Sequence, residues 1–293
     1  MPSRLLLWIT LGGCDAVFGL DREMPPPVCG PFGPPEEVRF DPALVDVRDL
    51  SVEPDGMRGM VYANLGNPPT AAWRGPHAVK KDGNGVWVQD TARDRPVLNS
   101  FDGAHVTQTG GAIAWIDMPR GVMVNLLSFS TAWSQQAELI ETQTDRDVHI
   151  GNVIDLAVGP GLQQRLAVEI RPPIGTITTG EIRIIQRVPT SSTWMVTAQA
   201  DPLNMTTPPL DVNGGVMTAD HEILLYTARV GSQKMSRAFA TRRERDMYNP
   251  GVELIIDSVE SDSGITEPWI NDDCTQLHFR NNDKTWVTTT EAP

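Results

Sequence analysis

The sequence predicts an all-β fold, a five-bladed β-propeller of four-stranded blades whose ring is closed by an N-terminal strand. Three observations carry that reading. Tyr62, Trp115, Val168, Tyr226 and Phe279 recur at intervals of 53, 53, 58 and 53 positions, and each ends a short apolar run that follows a turn-like stretch. A period near 53 accommodates four strands and their turns. The 265 residues from Cys29 to Pro293 equal five such units, and 25 Gly with 24 Pro suit a turn-dense β chain rather than a helical one. A six-bladed ring is the alternative; it would need about 44 residues per blade, against the observed spacing. A two-sheet sandwich would also give many short strands but not the period.

The units align most clearly at the end of the chain. Residues 218–226 lie over residues 271–279 without a gap, each reading strand, Asp-centred turn, strand. Innermost strands are expected at Leu50–Val52, Val106–Thr107, Leu156–Val158, Val216–Met217 and Trp269–Ile270, and second strands end on the five periodic residues. Third strands are expected at Gly85–Val88, Val122–Val124, Ile182–Ile185, Arg237–Ala240 and Trp286–Thr289. Fourth strands are expected at Pro96–Leu98, Glu138–Ile140, Trp194–Val196 and Val252–Ile255. The chain ends before a fifth, so Glu37–Phe40 is expected to supply it, because an open ring would leave a bare sheet edge.

The N-terminus carries the other signal. Arg4 precedes the apolar run Leu5 to Leu11, and Leu11-Gly12-Gly13-Cys14 places small residues before a cysteine. Seven residues are too few to span a bilayer, which takes roughly 20. The stretch resembles a bacterial lipoprotein signal with its lipobox. The resemblance implies cleavage of a 1–13 signal peptide and lipid on Cys14; Asp15 would imply, by the enterobacterial rule, retention at the inner membrane, but the rule varies among bacteria, so either membrane is an open expectation. Residues 14–36, with Met24-Pro25-Pro26-Pro27 and Gly30-Pro31-Phe32-Gly33-Pro34-Pro35, read as a semi-rigid tether ahead of a 37–293 propeller domain.

Thr218, Asp220, Leu224 and Tyr226, followed by Phe239-Ala240-Thr241-Arg242, resemble the TolB-like, WD-type propeller repeats of myxobacterial-type envelope proteins. His221 and Cys274 stand where that pattern has a turn glycine, and units two and three lack its Asp. The resemblance implies a scaffold or recognition module with an envelope protein as partner; fold analogy by itself assigns no activity. With Cys14 lipidated, an oxidising envelope makes a Cys29 to Cys274 disulfide the expected use of the other two cysteines. Cys274 lies in the first hairpin of unit five, on the face where the closing strand enters, and Cys29 lies nine residues before Val38 on that entry.

The net charge is −13, or −14 once Arg4 leaves with residues 1–13. Such a surface repels phosphate backbones, which argues against nucleic acid as a partner. No phosphate loop, nucleophile elbow or Cys-x-x-Cys pair points to a cofactor, and none is expected. Asp145, Asp147 and His149 alternate, so a strand would align them as a Zn²⁺ or Mn²⁺ set, but local spacing is weak support and a solvated strand is the preferred reading. His221-Glu222 reads as a solvent-facing turn and Arg242 to Asp246 as a solvated loop. The alternative function is a five-bladed glycoside hydrolase whose carboxylates meet at the central channel. Asp49, Asp155 and Glu267 adjoin innermost strands and are the catalytic candidates under that reading.

Overall fold

The computed structural model describes residues 28–65, 74–93, 103–106, 111–118, 121–128, 138–141, 147–154, 165–171, 180–187, 194–206, 210–218, 220–230, 235–259 and 264–290. These residues form five antiparallel sheets. After β1 (Glu36–Glu37), the first sheet holds β2 (Leu44–Val52), β3 (Arg58–Leu65), β4 (Arg74–Lys81) and β5 (Trp87–Gln89). The second holds β6 (Gly103–Val106), β7 (Gly111–Met118), β8 (Gly121–Ser128) and β9 (Glu138–Glu141). The third holds β10 (Asp147–Ile154), β11 (Arg165–Arg171), β12 (Glu181–Arg187) and β13 (Trp194–Thr197). A 3₁₀ turn (Ala198–Ala200) and the one-turn α1 (Asp201–Asn204) lead on to β14 (Leu210–Met217). In the fourth sheet β15 (Ile223–Val230) follows β14, and β16 (Arg237–Glu244) pairs with both β17 (Met247–Tyr248) and β18 (Val252–Glu253). The fifth holds β19 (Thr266–Ile270), β20 (Gln276–Asn281) and β21 (Lys284–Thr289), with β1 as its outer strand.

The periodic residues share one place in the pattern. Tyr62, Trp115, Val168, Tyr226 and Phe279 all lie on the second strand of their sheets, β3, β7, β11, β15 and β20. Contacts between sheets run through the first strands: β2 touches β6, β6 touches β10, β10 touches β14, β14 touches β19, and β19 returns to β2. Two buried clusters fill the space between described side chains. Ile182, Val212, Leu224, Tyr226 and Phe239 join the third and fourth sheets. Val216, Leu225, Trp269, Phe279, Val61 and Trp87 run from the fourth through the fifth to the first.

The N-terminal segment binds three sheets together. The Phe32 N–H donates to Ile255 O, the Gly33 N–H to Thr289 O, the Val38 N–H to Thr285 O and the Asp41 N–H to Trp87 O. Phe32 is buried, and β1 sets Glu36 opposite Val287 and Glu37 opposite Trp286. Lys284 pairs with Glu37 at 2.6 Å. Cys29 and Cys274 are bonded, with sulfurs 2.07 Å and Cα atoms 5.4 Å apart, across a sequence separation of 245. The pairing expected from the sequence is the one found.

Several expectations need correction. The third strand of unit one is Arg74–Lys81, and the expected third strand, Gly85–Val88, overlaps β5, the fourth. Pro76 fits β4 because β5 reaches only Val79 to Lys81, so at Pro76 the strand has no partner on that side that would require a donated N–H. The first strand of unit three is Asp147–Ile154 rather than Leu156–Val158, which lies outside the described residues, as do Pro96–Leu98. Arg242 to Glu244 belong to β16, and Arg245 and Asp246, at φ 49° and 65°, form a tight turn rather than a loose loop.

The first hairpins share one device. In units one, four and five an Asp precedes a residue of positive φ: Gly56 at 67°, His221 at 61° and Cys274 at 59°. Each Asp side chain closes the turn on the backbone, with Asp55 Oδ1 accepting from Met57 N, Asp220 Oδ1 from Glu222 N and Asp273 Oδ1 from Thr275 N. His221 is buried rather than solvent-facing, its carbonyl accepts from the Tyr248 hydroxyl at 2.7 Å, and Glu222 pairs with Arg243.

Tyr226 shows how a periodic residue contributes. It stacks on Phe239 with ring centroids 5.5 Å apart, and its hydroxyl accepts from the Gly251 N–H at 2.8 Å. Burial pushes the phenol up to about 12, so it stays a neutral hydroxyl at any ordinary pH. Tyr226→Phe keeps the stacking and orphans the Gly251 N–H. Urea unfolding should show a loss of about 1–3 kcal/mol at unchanged m; a loss under about 0.5 kcal/mol would mean that solvent replaces the hydroxyl.

Candidate acidic site at the junction of the first and last sheets

The first strands carry irregularities in register. Register shifts fall between Ile150 and Asn152 in β10 and between Asn213 and Gly215 in β14, so the extra residues there are Gly151 and Gly214. In β2 the shifts lie between Val45 and Arg48 and between Arg48 and Ser51; in β19 one lies between Thr266 and Trp269. There the bulges hold carboxylates instead of glycines. Asp46, Asp49 and Glu267 take φ values of 52°, 51° and 51°, a conformation that costs an L-residue about 1–3 kcal/mol. Bulges of this kind re-aim side chains, and strained positions gather at functional sites.

The strain brings two acids together across the junction. The Asp49 N–H donates to Glu267 Oε2 at 3.2 Å. Arg280, mostly buried on β20, reaches Glu267 Oε1 at 3.5 Å, Asp46 Oδ1 at 3.7 Å and Asp283 Oδ1 at 3.0 Å. Arg48 pairs with Asp46 at 3.3 Å. Asp49 and Glu267 are surrounded by protein yet each keeps partial solvent exposure.

Burial, and then the neighbouring Glu267 charge, push the Asp49 carboxyl up to about 8, against the opposing pull of Arg48 and Arg280. Burial also raises Glu267, while the Asp49 N–H and the two guanidinium groups draw it down. Burial therefore favours a proton on this pair of acids, one of which already has an N–H donor and a cation. A paired acid and base of this kind can move a proton or grip a ligand carrying both donors and acceptors.

Of the three catalytic candidates, the structure unites Asp49 with Glu267, and Asp155 lies outside the described residues. Asp147 and His149 sit at alternate positions of β10, and Asp145 also lies outside the described residues. Cys14 lies outside them too. Sequence reading missed Arg48 and Arg280. A signal existed for Arg280, since it follows Phe279 where the corresponding units have Ala63 after Tyr62 and Thr227 after Tyr226.

No family model matches the chain, and no curated protein matches it. Solved structures similar to it include one described as a glycoside hydrolase, at 11% identity and TM-score 0.49, with 97% of this chain and 96% of that one covered. An exo-1,5-α-L-arabinanase from a bovine ruminal metagenomic library matches at 11% identity and TM-score 0.44, covering 85% and 94%. A prolyl endopeptidase matches at 10% identity and TM-score 0.40; the match covers 86% of this chain but only 35% of that protein. Likeness at this level assigns neither activity nor substrate.

The titrations make stability pH-dependent in a definite direction. Asp49 is raised from 3.8 to about 8, so its protonated form favours the fold and that contribution is lost as pH rises towards 8. His278, buried and lowered from 6.5 to about 3, works oppositely: its neutral form favours the fold, and that contribution is lost as pH falls below 6.5. The two slopes offset between pH 4 and 6.5, which leaves Asp49 uncompensated from 6.5 to 8. Urea unfolding should lose about 2 kcal/mol across that upper interval. Asp49→Asn should flatten it, and a wild-type curve already flat there would contradict the assignment.

Proposed function

We propose that the five sheets are the blades of a closed five-bladed β-propeller, held at the cell envelope by lipid on Cys14 and acting as a binding or scaffold module for an envelope protein. The Cys29–Cys274 bridge is the observation that carries this reading. A disulfide of this kind persists in an oxidising, extracytoplasmic compartment, and its formation leaves Cys14 as the one cysteine outside it, inside Leu11-Gly12-Gly13-Cys14. The circuit of first-strand contacts from β2 round to β19 supports ring closure. Commitment of Glu267 to the Asp49 N–H and Arg280 supports a holding role over turnover.

A second reading, glycoside hydrolysis, is favoured by one observation: two acids, Asp49 and Glu267, meet at one junction, where burial raises both carboxyls as a general acid requires. Asp49 would then protonate the leaving oxygen, and Glu267 would act as nucleophile or base.

Two measurements separate these readings. Cys14→Ser should release the protein from the membrane fraction and remove the mass of the acyl chains; unchanged retention and mass would end the lipoprotein reading. A panel of glycans should show no turnover while an envelope protein co-purifies. Turnover that Asp49→Asn reduces by about 100-fold or more would establish the hydrolase instead.

A further inference from the structure

The fifth sheet has two ends of different character. At one, the β19–β20 hairpin carries Cys274, bonded to Cys29. At the other, the β20–β21 turn carries Asn282 and Asp283, beside Arg280 and the acids it gathers. Between them runs β20, six residues long, so the ends are about 20 Å apart. The first sheet is oriented alike. Asp49 precedes the end of β2 by three residues, Glu267 precedes the end of β19 by three, and the two residues touch, which places the β2–β3 and β19–β20 hairpins at one end. That end also presents Met57, 49% exposed.

We propose that in the membrane-anchored protein the end bearing the Cys29–Cys274 bridge faces the lipid surface, and the end bearing Asn282, Asp283 and Arg280 points away from it. The inference rests on lipidation of Cys14. The bridge fixes where the chain leaves the folded body: Cys29, fifteen positions after Cys14. Fifteen residues reach at most about 50 Å. To lay the opposite end on the membrane, the chain would have to descend the height of the sheet, giving up about 20 Å of that reach. A tether with less slack has fewer conformations, so the bridged end is favoured as the near one. The exposed Met57 at that end would meet the interface rather than open solvent.

The orientation is read by energy transfer in the full-length lipidated protein. A clickable amino acid at Asp272, in the bridged hairpin, or at Asn282, in the opposite turn, carries a donor dye; both residues are exposed. Each protein is reconstituted into phosphatidylglycerol–phosphatidylethanolamine vesicles containing an acceptor-labelled lipid and is floated on a density gradient. Transfer from position 272 should exceed that from position 282 by at least about twofold, given the height difference of about 20 Å. Equal or reversed transfer in protein that floats would overturn the orientation while leaving lipidation standing. Protein that fails to float would overturn lipidation, and the orientation with it.

Discussion

Everything in this fold depends on joining its first and last sheets. Antiparallel pairing within each sheet needs only chain neighbours, and the first four sheets take their strands from consecutive segments. The fifth cannot, because β19, β20 and β21 supply only three strands and the outer one comes from Glu36–Glu37, nearly the whole chain away. Four kinds of bond converge there: the β1 ladder, the Phe32 and Gly33 backbone bonds, the Glu37–Lys284 pair and the Cys29–Cys274 bridge. In chain-entropy terms a cross-link spanning some 245 residues stabilises by about 5 kcal/mol, comparable to the whole stability of many domains. The acid pair occupies the same junction from the inside, where Asp49 of β2 meets Glu267 of β19.

That placement explains why the junction can carry both architecture and chemistry. Glu267 takes an N–H from the first sheet and a guanidinium from its own, so it cross-links the sheets. A bulge that holds glycine in two other sheets holds an acid here, at a conformational cost that glycine would avoid. The cost is borne at the junction and nowhere else among the described first strands.

The repeat was legible because its marker keeps one place in the topology: Tyr62, Trp115, Val168, Tyr226 and Phe279 lie on the second strand of every sheet. Turn chemistry was legible for a similar reason, since Asp55, Asp220 and Asp273 perform one hydrogen-bonding task. Strand identity failed where tertiary pairing overrode propensity. Arg74-Gly75-Pro76-His77 carries a Gly-Pro pair, yet β3 holds it extended. In unit three the first strand is the mixed Asp147–Ile154 rather than the more apolar run that follows it. Asp49 and Glu267 could be named from their nearness to first strands, but their meeting depends on bulges that no glycine announces; of the guanidinium groups beside them, Arg280 follows a periodic residue while Arg48 has no such marker.

The N-terminal segment also sets an order of events in synthesis. Residues 28–41 leave the ribosome before any of the strands they will join, and, apart from Trp87, their partners lie at Ile255, Thr285 and Thr289. Through most of translation Phe32 and Val38, buried in the finished molecule, have nothing to bury against. A chain delivered from one end to the other therefore completes its fifth sheet last with the part that arrived first. Contacts of such long sequence separation are slow to form. The acidic, proline-studded character of Pro34-Pro35-Glu36-Glu37 suits a segment that must wait without pairing to the wrong edge.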